Sequence, residues 1–230
     1  MNQQRWVGPS GNNRMSSLYV ARVEKLAGSR RLAGLLLWLT VSWNVVEGFV
    51  AVGSGIIARS VALVGFGLDS FIEVTAACVL LWRLSLPDHD EAAERREATA
   101  RRVVGITFLL LAGYIAAQTI YTLTVGGQPE ASDAGLVLSV VSLIVMPGLS
   151  LVKRRNARRL GSRALMAEST ETLVCSYLSL TLFVGLAANA VTGWWWADIA
   201  AALAMVPWIV KEGLEGLRGE RCDEGASGDG

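Results

Sequence analysis

The chain has 230 residues, 52% of them hydrophobic, with a mean hydropathy of +0.42 and a formal net charge of +1. A soluble domain of this length needs more polar surface, and a near-neutral chain carries no electrostatic footprint for nucleic acid. The three cysteines, Cys78, Cys175 and Cys222, stand at neither zinc-finger nor disulfide-framework spacing.

The apolar residues gather in blocks of about 20, the length that crosses roughly 30 Å of hydrocarbon at 1.5 Å per residue. The first 30 residues do not read as a signal peptide, because no apolar core or small-residue cleavage site precedes Arg31. Residues 1–31 are expected to be a cytoplasmic segment, in which Leu18, Val20, Val23 and Leu26 suggest a weak surface helix. Hydropathy then predicts spans over 32–57, 61–84, 103–125, 134–152, 164–191 and 194–210. Pro147 and Pro207 fall inside the fourth and sixth, where a transmembrane helix tolerates them as kinks.

The connections differ in character. An Ala-Arg-Ser turn joins the first two spans, and a charged loop with Glu91/Arg95 and Glu97/Arg101 at i,i+4 extends the third as a helix. His89, the only histidine, sits in that loop and reads as a solvated surface residue. A Gly-Gly-Gln-Pro turn, a basic loop beginning at Lys153 and a tight Thr192-Gly193 turn follow. Trp194, Trp195 and Trp196 open the last span as an interfacial anchor. Cys78 reads as core, and Cys222 as a free thiol in a disordered tail that starts after Gly219.

Of the 21 lysines and arginines, all but Arg59 lie on the side that holds both termini. The positive-inside rule therefore puts both termini in the cytoplasm of a multi-pass protein of the cell membrane. The expected organisation is a cytoplasmic 1–31, a six-helix transport domain over 32–212 and a short tail over 213–230.

The informative residues are the acids within the apolar blocks. An ionised acid near the bilayer centre costs about 2.5–3.5 kcal/mol even on the lenient insertion scale, so several of them need partners or a task. Asp69 and Glu73 are four apart and share one face of the second helix. Glu171 and Cys175 repeat the spacing on the fifth, with Glu168 on the same stripe. Three oxygens and a sulfur converging from two helices suit a tetrahedral ion such as Zn²⁺ and favour softer metals over Mg²⁺. The bland reading is that the acids are neutral packing groups bonded to Ser70, Thr170 or Thr172, and Cys175 a small hydrophobe. Glu47, with Asn44 one turn before it, is open between a packing acid, a proton relay and an accessory ligand.

At these residues the chain resembles the cation diffusion facilitator family. Gly53-Ser-Gly55, Ser60-Val-Ala-Leu-Val64 and Asp69-Ser-Phe-Ile-Glu73 look like its passage from helix one to the acid pair of helix two. Ala167-Glu168 through Glu171 to Cys175 looks like its fifth-helix metal pair, and Trp195-Trp-Ala-Asp198 with Ala200-Ala-Ala-Leu203 like its start of helix six. The resemblance implies an all-α domain of six transmembrane helices and metal ligands at Asp69, Glu73, Glu171 and Cys175. Glu47, Glu168 and Asn44 are accessory. Glu171 and Cys175 depart from the usual histidine or aspartate and aspartate. The chain also stops soon after helix six, like the family's short transmembrane-only branch.

The expected function is therefore that of a divalent cation transporter and not an enzyme. It is a proton-coupled efflux antiporter for Zn²⁺ or a similar ion such as Cd²⁺ or Co²⁺, with export implied by the resemblance alone. Metal is the substrate, protons the counter-ion, and no permanent cofactor is implied. The bilayer and a second copy of the chain are the partners. The alternatives are a non-transporting sensor or assembly partner, and a proton-coupled permease for another substrate.

Overall fold

A computed structural model of the protein describes residues 10–85, 91–126 and 128–218. The described residues form six α-helices: α1 (Ser10–Ala58), α2 (Val61–Leu84), α3 (Glu91–Tyr121), α4 (Asp133–Leu160), α5 (Arg163–Thr192) and α6 (Trp196–Arg218). A π-helical turn, Thr122–Gly126, ends α3. Helices satisfy their own backbone groups, which is what a hydrocarbon surrounding demands. The first five are long and apolar enough to cross a membrane. Helix α6 carries Asp198, Lys211 and Glu212, too much charge to qualify on composition alone.

Local chemistry sets the ends. Ser60, Ser132 and Ser162 cap α2, α4 and α5 by accepting the amide protons of Leu63, Gly135 and Leu165. Gly161 and Gly193 close α4 and α5 in the left-handed conformation, at φ of 65° and 69°. Pro147 and Pro207 both lie within helices, as expected.

The surface is inverted relative to a soluble protein. Phe49, Leu110 and Ile144 are each about two-thirds exposed, whereas Asn44, Glu47, Ser142 and Lys153 are fully buried. Apolar rims facing outward and polar groups facing inward are what a lipid solvent selects.

Helix α1 packs along α2, α4 along α5 and α3 along α6, and contacts between α2 and α5 join the halves of the bundle. Small residues permit the tightest crossings. A Cβ on Gly67 of α2 would sit 2.8 Å from the Val52 amide nitrogen of α1. On Gly105 of α3 it would sit 2.8 Å from the Gly213 carbonyl oxygen of α6. Neither could accept even a methyl group without moving backbone.

Three expectations change. Helix α1 runs back to Ser10 as one continuous helix, with no proline between there and the first span to break it. Lys153 does not open a solvated loop. It lies within α4, which continues to Leu160 on the face that also buries Met146 and Leu149. Cys78 is exposed on the outer side of α2 and is not core. His89, Cys222 and the tail beyond Arg218 lie outside the described residues, as do the side chains of Glu91, Arg95, Glu97 and Arg101.

Candidate metal site

The i,i+4 spacing on α2 and the contact of α2 with α5 decide the geometry. Asp69 and Glu73 turn inward from α2 at 4% and 7% exposure, and Cys175 turns inward from α5, fully buried. One ligand atom from each of the three lies within 4.8 Å of the other two. Two carboxylates and a thiol have been carried into the bundle interior at distances that one small cation can bridge.

Glu171, one turn before Cys175, is half-buried and stands outside that three-residue cluster. With Asp69 and Glu73 it lines a small cavity that has room for a single water-sized sphere. The other side of that cavity is Trp208 and Glu212 of α6. Sequence reading missed Glu212 because it adjoins Lys211 near a charged helix end. Its only sequence signal is its place one turn after Trp208 on the α6 face.

The three accessory residues have separate fates. Asn44 Nδ2 on α1 donates to Glu73 Oε2 at 2.6 Å. Glu47, also on α1, accepts from Ser70 Oγ at 3.1 Å through Oε2, which also stands 4.0 Å from Cys175 Sγ. Glu168 is engaged elsewhere, for its Oε1 accepts from Lys153 Nζ at 2.7 Å. The same ammonium donates to Thr172 Oγ1 at 2.8 Å. Lys153 and Glu168 thus form a buried ion pair that joins α4 to α5 beside the acid cluster. Thr170, a proposed partner for the acids, instead donates to the Met166 carbonyl of its own helix.

At the far end of α2, Asp198 of α6 is fully buried and accepts three hydrogen bonds. They come from Ser60 Oγ and from the amides of Val61 and Ala62, the last at 3.4 Å. A carboxylate on the first turn of a helix meets the positive end of its dipole. The α6 acid therefore fixes the start of the helix that carries Asp69 and Glu73.

Residues 37–219 match the family model of the cation efflux transmembrane domain. The chain belongs to the cation efflux family. It is an integral multi-pass membrane protein. The matched region takes in all the acids above and both helices of the cluster. Transmembrane protein 163 of Xenopus laevis is 26% identical over 155 residues, which cover 67% of this chain and 55% of that protein. An uncharacterized transporter of Synechocystis sp., sll1263, is 25% identical over 181 residues, covering 76% of this chain and 58% of that protein. The chain spans a little over half the length of these curated relatives.

Proposed function

We propose that this member of the cation efflux family is a metal/proton antiporter that exports Zn²⁺ or a similar ion such as Cd²⁺ or Co²⁺. The observation that carries the reading is the convergence of Asp69, Glu73 and Cys175 in the bundle interior. Asp69, Glu73 and Cys175 hold the ion, and Glu171 supplies a further carboxylate from the cavity wall. A thiolate among carboxylates favours Zn²⁺ and Cd²⁺ over Mg²⁺.

Carboxylates and thiols ligate metals in their deprotonated forms, so binding releases protons. Metal arriving from the cytoplasm displaces protons from the site, the bundle rocks to open it outward, and external protons compete the ion off. The basic asymmetry of the sequence supports cytoplasmic termini in the cell membrane.

The test is a flux assay on purified full-length protein in liposomes. An imposed pH gradient should drive Zn²⁺, Cd²⁺ or Co²⁺ across, with counter-movement of protons seen by an internal pH dye. Metal flux indifferent to the gradient refutes proton coupling. No flux of any of the three ions refutes the transport reading.

A further inference from the structure

The three clustered ligands come from α2 and α5, yet the space they surround has a third wall. That wall is α1. Glu47 there is fully buried and points its Oε2 toward Ser70 and Cys175. Its other oxygen, Oε1, accepts no hydrogen bond within 3.5 Å, although Trp43 and Ser142 lie beside the carboxylate. A buried carboxylate oxygen without a donor is costly to fold, and a site that keeps one commonly keeps it for a ligand.

The distance from Glu47 to the sulfur is compatible with ligation. Metal bonds of about 2.3 Å to sulfur and about 2.0–2.2 Å to oxygen, at a tetrahedral angle, put two ligand atoms roughly 3.5 Å apart. Cys175 Sγ and Glu47 Oε2 are 4.0 Å apart, although Glu47, like Glu171, stands outside the mutually close set of Asp69, Glu73 and Cys175, so ligation requires its carboxylate to turn further inward. Glu168, the other accessory acid, also leaves one oxygen, Oε2, unpartnered, but differs in that Lys153 neutralises its charge through Oε1.

We propose that Glu47 of α1 is itself a ligand of the bound ion, so that α1, α2 and α5 are all clamped to the metal. This rests on the reading that Asp69, Glu73 and Cys175 hold the ion. Asn44, one turn earlier, acts as a positioning residue that fixes the Glu73 carboxylate. The consequence is mechanical. An ion that binds three helices must break its bond to α1 or carry α1 with it when the bundle reopens. The competing account makes Glu47 a packing acid. Trp43 and Ser142 lie beside its carboxylate, and their Nε1 and Oγ are likewise unpartnered, so a small rotation would pair the three.

Replacing the proposed ligand by a sulfur separates the two. Purified full-length protein carrying Cys78→Ser and Cys222→Ser, the background for every variant below, is titrated with Cd²⁺, and the ultraviolet thiolate-to-metal absorption is read per bound ion. This background should show the band of one thiolate, and adding Cys175→Ser should lose it; a band that survives that change overturns the underlying site. Glu47→Cys should raise the intensity about twofold as a second thiolate enters the shell. An intensity unchanged in a variant that binds Cd²⁺ overturns the proposal. If Glu47→Cys takes up no Cd²⁺, X-ray absorption of Cd²⁺-loaded Glu47→Gln decides. A change in the number or distance of the oxygens bound to Cd²⁺ supports ligation, and a set identical to that of the unsubstituted Glu47 protein in both overturns it.

Discussion

Asn44 Nδ2 of α1 lies 2.6 Å from Glu73 Oε2 of α2, a hydrogen bond between two residues buried in the bundle interior. It fixes one carboxylate of the acid pair from outside the helix that carries it. A donor to one carboxylate oxygen sets the direction in which the other faces, as partners of metal-ligating groups do elsewhere.

Asn44→Ala removes that donor and leaves every carboxylate and Cys175 in place. Zn²⁺ affinity of the purified protein should fall by roughly 10–100-fold, the usual cost of losing a supporting hydrogen bond at a metal ligand. Calorimetric titration measures it. Unchanged affinity would show that Glu73 needs no support from α1.

Lys153 and Glu168 form an ion pair in which the lysine is fully buried and the Glu168 side chain is 7% exposed. Breaking a buried pair from one side strands the other charge, at a cost of about 3–5 kcal/mol, whereas replacing both by apolar groups is often neutral. Lys153→Met should therefore lower the thermal midpoint strongly, and Lys153→Met with Glu168→Leu should recover most of the loss. Equal losses in the single and double variants would mean that the pair does not act as a unit.

Much of this was legible in the sequence, and the boundary has a physical cause. That Asp69 and Glu73 share one inward face was legible because helical spacing acts along one segment. The inward placement of Cys175 on α5 follows from the same spacing. Lys153 was misread because a run of basic residues resembles a solvated loop. The apolar spacing through Met146 and Leu149, carried one turn further, puts it on the buried face. The partners of Glu73 and Glu168 could not be read, since each lies on another helix and depends on how the helices rotate. The link from Asp198 to Ser60 spans 138 residues, and periodicity carries no signal for it.

Asp198 tests how α2 is anchored. Asp198→Ala removes the acceptor of three hydrogen bonds, and hydrogen bonds to a charged group contribute about 1.5–3 kcal/mol each at most. The variant should unfold at lower temperature in detergent. Asp198→Asn, which keeps one acceptor oxygen, should fall between it and wild type. A thermal midpoint unchanged in Asp198→Ala would show that Ser60 alone caps the helix.

Metal affinity should weaken as pH falls, because protons compete for the carboxylates and the thiol. Cys175→Ser removes the soft donor at nearly constant size. It should reduce Cd²⁺ affinity more than Mn²⁺ affinity and flatten the pH dependence above neutrality, where a free thiol ionises at about 8.5. A Cd²⁺ to Mn²⁺ affinity ratio equal to that of wild type would make Cys175 a packing residue.

The central claim is that the acid pair of α2 carries the transported ion, and metal flux through Asp69→Asn and Glu73→Gln tests it most directly. Both variants keep the size of the side chain and remove a charge, which makes insertion into the membrane easier. Liposomes containing equal amounts of folded wild type and variant are loaded with a metal-sensitive dye, and Zn²⁺ entry is followed under a fixed pH gradient. The account predicts that wild type moves Zn²⁺ and that each variant moves none above protein-free liposomes. A variant that folds, inserts and transports at the wild-type rate would contradict it.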